Sequence, residues 1–124
     1  MAYDQKIMDR VIQDAIKNPI ISRGRTSISR MAAWITNGSE IFEGWNTYKT
    51  HPMMYKWSED HDKICLHAEI AALIQALREY SWLHNFDCYI ARVLKDNTPA
   101  LARPCETCLG ALTYYEIRNI WWTE

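Results

Sequence analysis

His67-Ala68-Glu69, read together with Pro104-Cys105-Glu106-Thr107-Cys108, decides how this chain is organised. One imidazole and two thiols offer three soft metal ligands, and Glu69 is a carboxylate with no evident structural duty. Three protein ligands with the fourth position open is the arrangement of a catalytic zinc site, whereas a structural site normally closes all four. Cys105 and Cys108 are three apart, so on the first turn of a helix both sulfurs project from one side. The N-terminus of that helix carries partial positive charge and free N–H groups, which favour thiolate over thiol. His67 and Glu69 are two apart and diverge in mid-helix; they converge only where His67 stands at a helix entrance. The spacing therefore predicts two helix N-termini aimed at one metal, with the rest of the chain as the frame that joins them.

A chain of 124 residues is read as a single domain, 1–124, with room for one hydrophobic core. Hydrophobic residues are 48% and charged residues 23% of the total, an ordinary globular balance. No stretch reads as a signal peptide and no apolar run approaches a membrane span, so the expectation is a cytoplasmic protein with no membrane partner. In such a reducing compartment four cysteines read as thiols or metal ligands rather than disulfides. The formal charge of −1 provides no global basic field, which counts against a general nucleic-acid binder while leaving a local patch open.

Ile7, Met8, Val11, Ile12, Ala15 and Ile16 form one apolar stripe of an amphipathic helix over residues 4–17, with Asp4 as N-cap and Asn18-Pro19 as the stop. Residues 28–36 are β-prone, Asn37-Gly38 is a hairpin signal, and 41–46 returns as a second strand. Met31, Ala33 and Ile35 lie on one face, Ile28, Ala32 and Trp34 on the other, as suits a sheet covered by helices on both sides. Residues 47–64 read as a long functional loop with room for one helical turn. A helix over 66–80, a buried strand over 86–94, a turn at 96–99, a helix opened by Pro104 and a last strand over 117–123 complete the order α-β-β-α-β-α-β. The last two strands, joined through a helix, are expected to be parallel. Trp121 and Trp122 must then place one ring on each face.

Two other readings of the cysteines were weighed. A structural zinc site needs a fourth ligand from Cys65, Cys88 or another histidine, and leaves the His-x-Glu pairing unexplained. A redox pair lacks the accompanying thioredoxin-like strand order.

H-x-E followed by P-C-x-x-C is the signature of zinc nucleobase deaminases, and here the chain resembles the cytidine/deoxycytidylate deaminase superfamily. The similarity extends to Arg30-Met31-Ala32-Ala33-Trp34-Ile35, Asn37-Gly38 and Gly44-Trp45-Asn46, which resemble the family's first hairpin, and spans roughly residues 20–124. It implies a three-layer α/β/α cytidine-deaminase-like fold with a mixed sheet. It also implies a Zn2+ cofactor on His67, Cys105 and Cys108, with Glu69 as proton shuttle. Zinc so held lowers the pKa of a bound water to roughly 7; Glu69 moves its protons while an exocyclic amine leaves as ammonia. In the family the residue matching Asn46 contacts a sugar hydroxyl, and the backbone matching Ala68 contacts the base. Members usually continue with a further helix and strand, so closure of the sheet is expected from residues 47–64 or from another subunit. The Lys49-Thr50-His51-Pro52 segment is similar to one in compact, often virus-encoded, deaminases.

Other residues have open assignments. Arg23, Arg25 and Lys49 suit a nucleotide phosphate or simply solvent. Arg103 suits loop ordering or substrate contact. Trp45 suits stacking on a base. His51, His61 and Cys65 suit a second metal, and Cys88 suits the core. Six tryptophans and seven tyrosines point to a homo-oligomer. The resulting expectation is hydrolytic deamination of a cytosine (deoxy)nucleotide, dCMP to dUMP foremost. Its alternatives are a cytosine or adenine deaminase of RNA or single-stranded DNA, and a non-enzymatic zinc-stabilised module.

Overall fold

Strand residues that are apolar on both faces need a cover on each, and the sheet here has one. The computed structural model describes residues 2–20, 29–49, 51–57 and 65–124, the side chain of Tyr55 apart. The elements run α1 (Gln5–Ile16), β1 (Arg30–Thr36), β2 (Ile41–Trp45), α2 (Pro52–Trp57), α3 (Ala68–Leu77), β3 (Asp87–Val93), β4 (Pro99–Ala100), α4 (Glu106–Tyr114) and β5 (Asn119–Trp122). β1 lies antiparallel between β2 and β3. The far edge of β3 is shared: β5 runs parallel to its first residues and β4 antiparallel to its last.

On one face Ala32, Trp34, Tyr89, Ala91 and Val93 pack against Met8, Val11 and Ala15 of α1. The Trp34 indole N–H donates to Asp14 at 2.6 Å, and the Arg10 guanidinium lies 4.7 Å from the same ring, so α1 is clamped as well as buried. On the other face Ala33, Ile35, Cys88 and Ile90 meet Ile70 and Leu73 of α3 and Cys108 and Leu112 of α4. The layers are therefore α/β/α. Trp121 packs with the first cluster and Trp122 with the second, one ring per face as the alternation requires. Cys88 is core. Among the described residues no helix is long and apolar enough to cross a membrane.

The short helix α2 supplies the helical turn for which 47–64 had room. The architecture differs from the sequence expectation at three other places. The turn at 96–99 runs into the two-residue strand β4. α3 begins at Ala68 and ends at Leu77, shorter than 66–80 at both ends. Pro104 does not open α4 but precedes its N-cap, Cys105; a proline there holds the entering chain without forfeiting a helical hydrogen bond. Ile28 lies outside the described residues.

Two features bring the functional segments together. The α3 backbone lies directly on β2 at Gly44, where a Cβ would stand 2.2 Å from the Ala72 nitrogen, 2.5 Å from the Ala68 oxygen and 2.8 Å from the Ala71 carbonyl carbon. Only a glycine admits that approach. At the far edge of β3, Thr123 gathers three strands: its N–H donates to Ile90 O at 3.0 Å and its hydroxyl donates to Ala100 O at 2.6 Å. The same hydroxyl accepts from Arg92 N–H at 3.1 Å, and its carbonyl accepts from Ala102 N–H at 2.9 Å. That last bond fixes the segment entering Cys105.

The two glycines with the clearest surroundings give opposite expectations. Gly44→Ala forces α3 off the sheet and lowers stability by about 3 kcal/mol or more, since rigid backbone must move. Gly110, in α4, has nothing within 4 Å of an added Cβ, so Gly110→Ala raises stability by about 0.5–1 kcal/mol. Urea unfolding of both variants checks the pair; equal shifts in the same direction would contradict it.

Candidate metal centre and active-site cavity

His67 and Cys105 are both helix N-caps in extended conformation (φ −79, ψ 152 and φ −70, ψ 168), and neither side chain caps its own helix. A polar N-cap side chain typically stabilises a helix by about 1 kcal/mol, so both helices forgo a favourable contact and aim their caps at each other. The His67 Nδ1 lies 3.2 Å from Cys108 Sγ and 3.5 Å from Cys105 Sγ. The three ligand atoms lie within 4.8 Å of one another. A tetrahedral zinc with ordinary bond lengths sets nitrogen and sulfur about 3.6 Å apart. The donor set and its spacing fit zinc with a fourth position left open.

Glu69 is the second residue of α3 and only 2% exposed. Its Oε1 is buried with no hydrogen-bond partner among the described residues, an arrangement that normally signals a missing polar partner. Burial pushes its carboxyl pKa up from the ordinary 4.5, against the opposing pull of its own N–H, His67 and Cys108. The thiols divide one proton: Cys105 is held down to about 3 chiefly by a hydrogen bond from the Cys108 thiol. Cys108, whose thiol donates to Cys105 and which is also more deeply buried and faces Glu69, is pushed far up. Metal binding must displace that remaining proton.

A cavity of about 260 Å³ opens onto this group, lined by Asn46, His67, Glu69, Cys105, Ser29 and Arg103 among others. It is at the lower end of small-ligand sites. Thr47 and Leu66 exchange backbone hydrogen bonds of 3.0 and 3.1 Å, which hold the end of β2 against the entrance of α3 and so Asn46 near His67.

His67, Glu69, Cys105 and Cys108 thus come together, with Asn46 at the same cavity. Ala68 is fully buried as the first residue of α3, beneath Gly44. Trp45 is not brought there. It pairs with Ala32 on the α1 side of the sheet, opposite Gly44, and is 37% exposed. Lys49 is exposed and outside the lining; Arg23, Arg25 and His61 lie outside the described residues. Cys65 lines the cavity without joining the metal group, and His51 Nδ1 accepts from Met53 N–H at 3.0 Å at the start of α2. Among the described residues no fourth ligand closes the zinc site. Arg103, open from sequence between loop ordering and substrate contact, lines the cavity. Ser29, also in the lining, carried no sequence signal.

Two outcomes follow from the ionisation pattern. Zinc titrated into metal-free protein near pH 8 releases about two protons per ion, one from the Cys108 thiol and one from bound water, read by calorimetry in buffers of different ionisation enthalpy; Cys108→Ser removes the thiol proton and stoichiometric binding. Glu69 has a folded pKa above its unfolded value, so between the two pH values the native state holds the extra proton and stability falls as pH rises. Glu69→Gln therefore stabilises the metal-free protein at neutral pH, and the gain shrinks as pH falls toward about 4.5. Thermal unfolding across pH reads it; a pH-independent difference would overturn the assignment.

Residues 2–124 match the family model described as the cytidine and deoxycytidylate deaminase zinc-binding region. No curated protein sequence matches significantly. Among solved structures, the chain is similar to the apo dCMP deaminase of cyanophage S-TIM5, at 16% identity and TM-score 0.61 over 97% of this chain and 84% of that one. The same phage enzyme in complex with dCMP and dUMP aligns at 15% identity and TM-score 0.62, over 95% and 78%. The guanine deaminase of Bacillus subtilis aligns at 17% identity and TM-score 0.60, over 98% of this chain and 64% of that one. At these identities the structures establish the fold. The family model, covering nearly the whole chain, establishes more: the protein belongs to the cytidine and deoxycytidylate deaminase family.

Proposed function

We propose that the protein is a zinc-dependent hydrolase that deaminates a free cytosine nucleotide, with dCMP to dUMP and ammonia as the leading reaction. The observation that carries this reading is the buried, unpartnered Glu69 Oε1 beside an open His-Cys-Cys group at the wall of a cavity. His67, Cys105 and Cys108 would hold zinc, which would supply the Lewis acid that makes water a nucleophile at neutral pH. Glu69 takes a proton from that water at Oε1 and delivers it to the ring nitrogen as oxygen adds to the amine-bearing carbon. It then carries the second proton to the departing amine, so the carbon–nitrogen bond breaks with ammonia as leaving group and a carbonyl remains. A carboxyl whose pKa burial has raised suits a group that must hold a proton between two transfers.

Asn46 meets the sugar, and the backbone at Ala68 meets the base. Arg103 supports a phosphate on the substrate, a role the sequence had offered to Arg23, Arg25 and Lys49: it lines the cavity, and a guanidinium matches phosphate geometry. The charge of −1 favours a free nucleotide over a polynucleotide. The cluster of Trp57, Tyr114, Tyr115 and the half-exposed Trp82 supports assembly of copies as part of this reading.

The test is ammonia release by zinc-loaded protein against dCMP, CMP, dCTP, deoxycytidine, guanine and adenine nucleotides, and a single-stranded oligonucleotide. Turnover of dCMP is expected, falling by about 10²–10⁴ in Glu69→Gln. Arg103→Gln is expected to raise KM for dCMP while leaving deoxycytidine turnover unchanged. Turnover confined to the oligonucleotide, or to a purine, would overturn the substrate assignment.

A further inference from the structure

Asn18 follows the C-cap of α1 and precedes Pro19, where a residue serving only to stop a helix can remain in solvent. It is instead 5% exposed, and its side chain is fully committed. Its Oδ1 accepts from Ile20 N–H at 3.0 Å. Its Nδ2 donates to Met31 O at 2.9 Å and to the Asn46 Oδ1 at 2.7 Å. Asn46, itself 6% exposed, accepts on the same Oδ1 from Met31 N–H at 2.9 Å and donates from Nδ2 to Ser29 O at 2.6 Å.

The sense of both amides is set by backbone groups that cannot reverse their roles. Ile20 N–H and Met31 N–H can only donate; Met31 C=O and Ser29 C=O can only accept. An amide oxygen has two lone pairs and an amide nitrogen two hydrogens. In Asn18 both hydrogens are used. In Asn46 both lone pairs are used, one of them by Asn18, and one Nδ2 hydrogen is left.

We infer that Asn18 is a positioning residue that makes Asn46 a donor-only contact, so the substrate atom Asn46 meets must be a hydrogen-bond acceptor. This rests on the proposed reading of Asn46 as the sugar contact. A hydroxyl oxygen of the sugar then accepts from Asn46, and its own hydrogen is directed elsewhere. Asn46 thereby selects for the presence of that oxygen. Without Asn18 one lone pair of Asn46 is free and its amide is held by Met31 N–H and Ser29 C=O alone, so its donor is aimed less firmly and the selection weakens.

The test compares the productive nucleotide with its 2′,3′-dideoxy analogue, which lacks the ring hydroxyls. The variants are Asn18→Asp, which keeps shape and the Ile20 contact but removes the donor, and Asn18→Ala. Zinc content and unfolding temperature confirm folding. In the native protein the parent nucleotide should exceed the analogue in kcat/KM by roughly tenfold or more. That ratio should fall in both Asn18 variants, more in Asn18→Asp, whose carboxylate oxygen faces the Asn46 Oδ1, and furthest in Asn46→Ala, with the loss in KM for the parent. A merely structural role would lower both substrates together and leave the ratio intact, which would overturn the proposal. No discrimination by the native protein would remove the sugar reading of Asn46, and the inference with it. NMR of the native, substrate-free protein checks the network independently of activity: the side-chain NH2 of Asn18, whose two hydrogens are both bonded, should resist solvent exchange. Rapid exchange there would also overturn it.

Discussion

The structure depends on holding a carboxyl group in a dry interior beside two thiols. Glu69 sits where its charge is poorly solvated, its Oε1 lacks a partner, and the neighbouring Cys108 is pushed away from ionisation. Buried polar groups are normally satisfied by the fold around them. Here the described residues leave Oε1 unsatisfied, and in the proposed function the reacting water and the substrate satisfy it. That withholding extends to the helix ends, since His67 and Cys105 occupy cap positions without capping. The folded state is thereby less stable than the same layers could be with an apolar centre, a common condition of active sites.

A site of this kind is stable only on a stiff frame. The α/β/α layers supply it through three fixed points: the backbone contact of α3 with Gly44, the Thr47–Leu66 bridge, and the bonds around Thr123. Each is a backbone feature or a short side chain, with little rotamer freedom. The cavity wall bearing Asn46 is similarly fixed by amides bonded to backbone. Exposed long side chains such as Lys49 contribute nothing to this rigidity.

The convergence of His67, Glu69, Cys105 and Cys108 was legible in the sequence because their spacing has a single geometric solution, two helix entrances facing each other. The double-sided pattern of β1 and the Trp121-Trp122 pair were legible because strand alternation is strict. The helix α2 was legible only as one turn somewhere in 47–64, because six residues are too few to show a 3.6-residue period. β4 was not legible, since its two residues have no pattern at all. Trp45 was misplaced by its adjacency to Asn46. Within an extended segment, immediate neighbours face opposite ways, so closeness in sequence argued against a shared cavity rather than for it. Asn18 read as punctuation beside Pro19, because a helix stop explains an asparagine without requiring that it be buried. Its partners, Met31 and Asn46, are distant in sequence and could be found only in three dimensions.

The Thr123 junction bears on how the protein is made. Cys105 is positioned by a backbone segment that begins at Ala102, and Ala102 is held by a residue synthesised well after the last metal ligand. A chain in which β5 has not yet docked lacks the bond that sets the approach of Cys105 to His67, so its thiols are free to take up other spacings. The ligand group reaches its final geometry only when β5 adds to the sheet.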